Sequence, residues 1–217
     1  MDYLKYGKEK QSVLNNTSKV KVYKEPFPHL IVEDFYDEKE LELIWEELKF
    51  YTKPGKFLPA KDYGGIEGYT DAKALCLDVE YNHRIISNIL TVNRKIFDRQ
   101  ILEPFSKIHD CCGESINCNY DVTKVRYYHE GDRYDAHVDR IFHFLAFSYF
   151  YKEPKRFIGG ELIFPKYNYE LTCENNSIII MPSWVQHGVK RVSIKDSDYY
   201  DGYGRYCISS FFGSRDD

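Results

Sequence analysis

Hydrophobic and polar positions change rhythm near residue 120. Before it, the helical period dominates. In "DEKELELIWEELKFY" Leu41, Ile44, Trp45 and Leu48 recur at three- and four-residue spacing, which predicts an amphipathic helix. Asp37 is placed to cap it, with Glu40 three residues on. The preceding "FPHLIVEDFY" reads as a buried strand with Pro28 near its start, and "SVLNNTSKVKVYK" ends in a candidate edge strand. "NHRIISNILTVNRKIFDRQILE" sets Ile85, Ile89, Val92 and Ile96 on one face and predicts a second helix ending near Pro104. Between the helices, "KPGKFLPAKDYGGIEGYTDAK" carries two prolines and four glycines, the marks of an irregular, mobile loop. "KIHDCCGESINCNYD" reads as a connector.

From residue 120 short aromatic and β-branched runs alternate with turns: "VTKVRYY", "AHVDRIFHFLAFSYFY", "GGELIFP", "YNYELTC", "NSIIIMP", "QHGVKRVSI" and "GRYCISSFF". Regularly spaced short strands predict a sandwich or barrel. The fold class expected is α+β, mainly β, with supporting helices first. We expect one domain over 1–217: an extension at 1–24, helical support with a loop at 25–119, and a β core at 120–213. There is no internal repeat and no low-complexity tract.

Composition narrows the function classes. Hydrophobic residues make up 43% of 217 positions, enough for a sizeable core. Net charge is −4, which argues against a general polyanion binder. The first twenty residues carry Asp2, Lys5, Lys8, Glu9 and Lys10 without an apolar core, so no signal peptide is expected, and no apolar run approaches the ~20 residues of a membrane span. Six cysteines without a CxxC pair read as reduced thiols in a cytoplasmic protein.

The chemistry concentrates in "YYHEGDRYDAHVDR". His137 and Asp139 are separated by one residue; on a strand they would share a face and converge on one ion. Taken alone, the triplet is more often a surface polar pair. His187 lies fifty residues after His137, just past the apolar run "SIIIMP". Two histidines and one carboxylate make a facial triad that leaves positions open on Fe(II). Zinc is the competing ion, but no HExxH accompanies the set. Arg205 opens a run, "YCISSFFG", that carries no charge. A buried arginine there would need an anionic partner, and its fork fits a carboxylate. The bland alternative is a surface arginine at a strand edge.

The order YxxGxxYxxHxD, GGELxFP, a distal histidine and GRYxxSxxF resembles the iron(II)- and 2-oxoglutarate-dependent dioxygenases of the prolyl 4-hydroxylase type. Here it falls on Tyr128, Gly131, Tyr134, His137 and Asp139, then 159–165, His187 and Arg205. The resemblance covers 120–213, and more loosely the N-terminal strand and helix. It implies a double-stranded β-helix (jelly roll) core, with Fe(II) held by His137, Asp139 and His187. It also implies that Arg205 grips the distal carboxylate of 2-oxoglutarate and that Tyr128 donates a hydroxyl hydrogen bond to that cosubstrate. O2 would be consumed, 2-oxoglutarate decarboxylated to succinate and CO2, and a substrate C–H bond hydroxylated, with ascorbate as a reductant.

This chain departs from the family pattern in places. Arg205 comes eighteen positions after His187, where about ten is usual, and a longer hairpin loop with turns at Gly202 and Gly204 is expected. Lys190 is the rival anion binder, but it sits too close to His187. Cys207 stands where some relatives place a hydroxyl. Nucleic-acid demethylases of the superfamily carry an arginine six positions past the first; Phe211 occupies that place and counts against a nucleic-acid substrate. Further expectations are His143 as a pocket residue on the alternation of His137, Tyr134 at the substrate entrance or packing, Trp184 as a core anchor, Arg140 paired with a surface acid, and Tyr63 and Tyr69 on a substrate-ordering lid at 53–73. The substrate is a protein or peptide side chain, prolyl first, or a free amino acid or other small molecule. From another class, the chain could be a non-catalytic jelly-roll binding module; the intact triad with Arg205 weighs against that. A monomer is the default.

Overall fold

The computed structural model describes residues 14, 17–53, 55–65 and 68–215; most of the expected N-terminal extension lies outside them. β1 (Lys19–Tyr23) and β2 (His29–Glu33) form a hairpin that leads into α1 (Glu38–Tyr51). The predicted cap is present on both sides: Glu40 N–H donates to the Asp37 carboxylate and Asp37 N–H donates to the Glu40 carboxylate. Ile44 and Leu48 are fully buried, and Leu41 and Trp45 pack against the same core.

The second predicted helix is a correction. The chain instead makes a 3₁₀ turn at Arg84–Ile86, α3 at Asn88–Val92, another 3₁₀ turn at Asn93–Phe97 and α4 at Arg99–Ser106. Ser87 and Asp98 interrupt it, because each side chain accepts from a backbone N–H two or three residues on and starts a new helix. Ile85 is therefore exposed, and Pro104 sits inside α4 rather than ending it. The loop expected as irregular is partly regular. It holds β3 (Leu58–Pro59), a 3₁₀ turn at Ala60–Tyr63 and β4 (Lys73–Cys76), followed by α2 (Leu77–Glu80).

The remaining strands are β5 (Tyr120–Tyr128), β6 (Tyr134–His137), β7 (Phe144–Phe150), β8 (Phe157–Ile158), β9 (Leu162–Phe164), β10 (Tyr169–Leu171), β11 (Ser177–Pro182), β12 (His187–Val189), β13 (Ser193–Ile194) and β14 (Arg205–Gly213). Among the described residues an eight-stranded antiparallel sheet runs β1-β2-β11-β7-β14-β5-β4-β3, and a four-stranded sheet runs β10-β9-β12-β6. Sheet and helices together make a jelly-roll architecture with helices on one side. The connection expected as a long hairpin loop before β14 is another correction: it contains β13, paired with β8, and α5 (Asp196–Tyr200).

β14 is buried along its whole length because both faces are covered. Tyr206 packs edge-on against Trp45 of α1, and Phe144, on the same face of neighbouring β7, packs against Phe105 of α4. The opposite face, with Arg205, Cys207, Ser209 and Phe211, turns toward the smaller sheet and encloses the cavity described next.

Candidate metal and anion site

His137 ends β6 and His187 opens β12, and the two are directly paired across the smaller sheet. The strands come close because position 188 is glycine: a Cβ there would lie 2.8 Å from the Tyr134 carbonyl oxygen. Strand alternation predicts Asp139 on the same face as His137. The structure ends β6 at His137 and brings Asp139 round in the following loop, which is a correction in mechanism but not in outcome. Asp139 Oδ2 lies 3.8 Å from His137 Nε2 and 3.4 Å from His187 Nε2. The three ligand atoms lie within 4.8 Å of one another.

Both imidazoles are set for a metal. His137 Nδ1 is 2.9 Å from the Asp135 carbonyl and His187 Nδ1 is 3.0 Å from the Val185 carbonyl. A carbonyl can only accept, so each Nδ1 carries the proton and each Nε2 turns a lone pair inward. Burial pushes the His137 pKa down; burial, then the neighbouring His137, pushes that of His187 down to about 4. Both rings are thus neutral at physiological pH, the form that ligates. Tyr134 stacks on His137 at 4.0 Å between centroids, which fixes the ring plane.

The neighbouring cavity is narrow and partly open to solvent, with about 20 Å³ of room for a water-sized sphere. Its walls include the triad, Arg126, Tyr128, Tyr134, Phe147 and Tyr149, together with Leu162, Val189 and the inward side chains of β14. Arg205 is 2% exposed and has no carboxylate partner among the described residues. Its Nε and Nη1 are buried without a hydrogen-bond acceptor, and Nη2 reaches only Cys173 Sγ at 3.6 Å. The guanidinium lies 4.6 Å from the Tyr128 ring and 5.0 Å from that of Tyr149, which soften but do not replace a counter-ion. Gly160 makes the room for it: a Cβ at 160 would lie 2.5 Å from Arg205 Cδ, and φ there is +77°. A buried, orphaned guanidinium facing a cavity beside two histidines and a carboxylate fits an iron ion chelated by a dicarboxylate keto acid.

The other expected residues divide. Tyr128 and Tyr134 line the cavity. Tyr69 is exposed, but its backbone carbonyl accepts from Asp135 N–H at 2.7 Å, so the segment is laced to the strand that ends in His137. Tyr63 lies away from the cavity walls; its hydroxyl donates to Glu80 at 2.5 Å. His143 is also absent from the walls and sits beside Gly213, because the chain between Asp139 and β7 is a loop without strand alternation. Trp184 is 48% exposed and is no core anchor, since it tops a turn between β11 and β12. Arg140 is exposed and has no ion pair among the described residues. Lys190 pairs with Glu170 at 2.6 Å, outside the cavity. Sequence reasoning missed Tyr149, whose buried hydroxyl makes no well-formed hydrogen bond among the described residues, and Arg126. Arg126 had a signal: it lies two residues before Tyr128 on one strand and so shares its face. Tyr149 had none, because β7 is buried on both faces.

The sequence matches no protein-family model and no curated protein. The fold is shared with solved oxygenase structures. A Pseudomonas putida prolyl 4-hydroxylase superposes with a TM-score of 0.60 at 14% identity, covering 87% of this chain and 93% of that one. A Burkholderia pseudomallei oxidoreductase of the 2OG-Fe(II) oxygenase family gives 0.56 at 13% identity, covering 87% and 86%. A Trichoplax adhaerens prolyl hydroxylase, solved with a hypoxia-inducible-factor peptide fragment, gives 0.55 at 11% identity, covering 86% and 83%. Among the described residues no helix is long and apolar enough to cross a membrane.

Proposed function

We propose that this chain is an Fe(II)- and 2-oxoglutarate-dependent dioxygenase that hydroxylates a C–H bond of its substrate. The observation that carries the proposal is the orphaned Arg205 guanidinium, buried in the same cavity as the His137–Asp139–His187 triad. In the overall reaction, substrate, O2 and 2-oxoglutarate give hydroxylated substrate, succinate and CO2, and ascorbate serves as a reductant.

His137, Asp139 and His187 would hold the iron, and Arg205 would clamp the distal carboxylate of the cosubstrate. The rings of Tyr128 and Tyr149 flank that guanidinium, and the Tyr128 hydroxyl would donate to the cosubstrate. Iron, when bound, would supply the activation of O2; the chain's own part would be to orient the keto acid and exclude water. Phe147, Leu162, Val189 and Phe211 give the cavity its dry walls.

For the substrate, a peptide or protein side chain, prolyl first, has the support of the Trichoplax neighbour, which was solved with a peptide fragment. A free amino acid or other small molecule is favoured instead by a second buried cation in the cavity, Arg126. The test is an anaerobic titration of the protein with Fe(II) and 2-oxoglutarate, followed by visible absorption. A weak charge-transfer band that needs both components, and is lost in His187→Ala, is the expected result. Iron binding without such a band would overturn the dioxygenase reading in favour of a metal-binding scaffold.

A further inference from the structure

The cavity contains a second guanidinium that the reaction as described does not employ. Arg126, on β5, is 7% exposed and lines the same cavity as the triad. Its Nη1 donates to Ser209 Oγ at 2.8 Å, and its Nε is buried without an acceptor. The cation lies 5.5 Å from the centroid of the Tyr134 ring, the ring that stacks on His137. No carboxylate among the described residues forms an ion pair with it. One neutral hydroxyl and one ring face do not offset the desolvation of a full charge.

The strand register separates its task from that of Arg205. Arg205 pairs with Tyr128, and Arg126 pairs with Cys207, two residues along the same two strands. The two guanidiniums thus enter the cavity from one sheet face at positions about 6.8 Å apart along the strand. Arg205 marks one end, enclosed by Tyr128, Tyr149 and Cys173; Arg126 lies further along, with Ser209 beside it. Asp139 cannot serve both, since its carboxylate already faces the two histidines at 3.4 and 3.8 Å.

We propose that Arg126 and Ser209 form a subsite for a carboxylate of the substrate to be hydroxylated, so that the substrate carries an anionic group close to the oxidised C–H bond. This rests on the dioxygenase reading, and charge balance supports it. Iron(II) and the two guanidiniums bring four positive charges, and Lys124, on the same face of β5 and within electrostatic reach of Arg126 and Asp139, brings a fifth; Asp139 and the 2-oxoglutarate dianion bring three negative ones. An excess of positive charge remains, and a substrate carboxylate reduces it. A planar fork with an adjacent hydroxyl suits that group. The carboxylate comes either from the α-carboxyl of a free amino acid or from an Asp or Glu side chain in a peptide.

The experiment uses the full chain loaded anaerobically with Fe(II) and 2-oxoglutarate, with perturbation of the visible band as the binding readout. The probes are pairs that differ only in carboxylate against amide: L-proline and L-prolinamide, L-aspartate and L-asparagine, and blocked tetrapeptides with Asp or Asn beside Pro. At least one carboxylate should bind about 30-fold tighter than its amide. The pair that responds distinguishes a free amino acid from a peptide side chain. Arg126→Gln should abolish the preference while leaving 2-oxoglutarate affinity within about twofold of the parent protein. Ser209→Ala, which removes only a hydroxyl, should reduce the preference by roughly threefold to tenfold. The proposal is overturned if no pair shows a preference, or if both variants retain it. It is equally overturned if Arg126→Gln weakens 2-oxoglutarate as much as Arg205→Ala does. If the band itself never forms, the dioxygenase reading has failed, a separate outcome.

Discussion

Two buried charge clusters lie on neighbouring strands, and they are built on opposite logic. At the start of β5, Asp121 is 1% exposed and fully answered: Arg84 Nη2 donates at 2.9 Å, Arg94 Nη1 at 3.1 Å and Thr123 Oγ1 at 2.7 Å. Further along the same strand pair, Arg205 and Arg126 are also buried, at 2% and 7% exposure, and have no carboxylate partner among the described residues. The first cluster ties α2, the following 3₁₀ turns and β5 together, and its partners reach solvent. The second faces the cavity beside the triad, where the walls around the two guanidiniums supply rings, a thiol and a hydroxyl in place of a carboxylate. Folding tolerates the cost of an unanswered charge only where something else is to complete it. On that logic the outer cluster reads as structural and the inner one as the binding site proposed above.

The sharpest way to break the comparison is at the triad. His187→Ala should remove Fe(II) binding and turnover together, a loss of at least a hundredfold in metal affinity, while the unfolding midpoint of the metal-free protein stays near the parent value. A variant that still bound iron tightly would disconnect the triad from the metal.

Arg205→Met comes next. Removing one partner of a buried charged pair costs about 2–5 kcal/mol in binding, so the 2-oxoglutarate requirement should rise by roughly a hundredfold. Stability in the absence of cosubstrate should hold or increase, because an uncompensated charge has gone. Calorimetric titration and chemical denaturation read the two quantities separately. A variant that lost stability and kept its cosubstrate affinity would put Arg205 in the structural class, and the comparison would collapse.

Asp121→Ala should behave in the reverse sense. It strands Arg84 and Arg94, although both can turn toward water, so the loss should be about 2 kcal/mol, below the 3–5 of a fully enclosed pair. Cosubstrate affinity should not change. A fall in 2-oxoglutarate binding at constant stability would show that the two clusters communicate along β5.

The same contrast explains what could be read from the sequence. The triad and Arg205 are legible by spacing, whereas Arg126 is not singled out by it. Asp139 two past His137, the second histidine beyond an apolar strand and an arginine before an uncharged run all survive folding as neighbours, because β12 pairs with β6 and β14 with β5. The cap of α1 was equally legible, since its chemistry is local. What escaped depended on tertiary context or on competing local bonds. Ser87 and Asp98 are ordinary helix residues until their side chains capture backbone N–H groups, and no periodicity reveals that. Trp184 looked like a core residue by type, but the turn that carries it points outward. His143 falls outside the cavity because strand alternation does not run through the loop that carries it. Tyr63 was assigned to the substrate by its loop, yet its hydroxyl is taken by Glu80.

The smallest expected effect is on the pH dependence of the metal-free protein, and its sign follows from burial. The folded pKa of His187 is near 4, below the ~6.5 of an unfolded histidine, and that of His137 is also lowered. Between those values the unfolded chain binds protons that the folded chain refuses, so stability rises with pH across the window. It is fully present above about pH 6.5 and is lost progressively as pH falls toward 4. Asp78, in the outer cluster, works in the opposite direction: burial raises its carboxyl, so the folded state holds a proton that the unfolded state releases first. Denaturation midpoints measured from pH 4 to 7 without metal should therefore slope upward, and His187→Gln should flatten part of that slope, with His137 maintaining the rest. Asp121→Asn should leave the slope above pH 5 in place. A slope untouched by His187→Gln would mean that solvent reaches the ring, and the dry cavity on which the inner cluster depends would have to be abandoned.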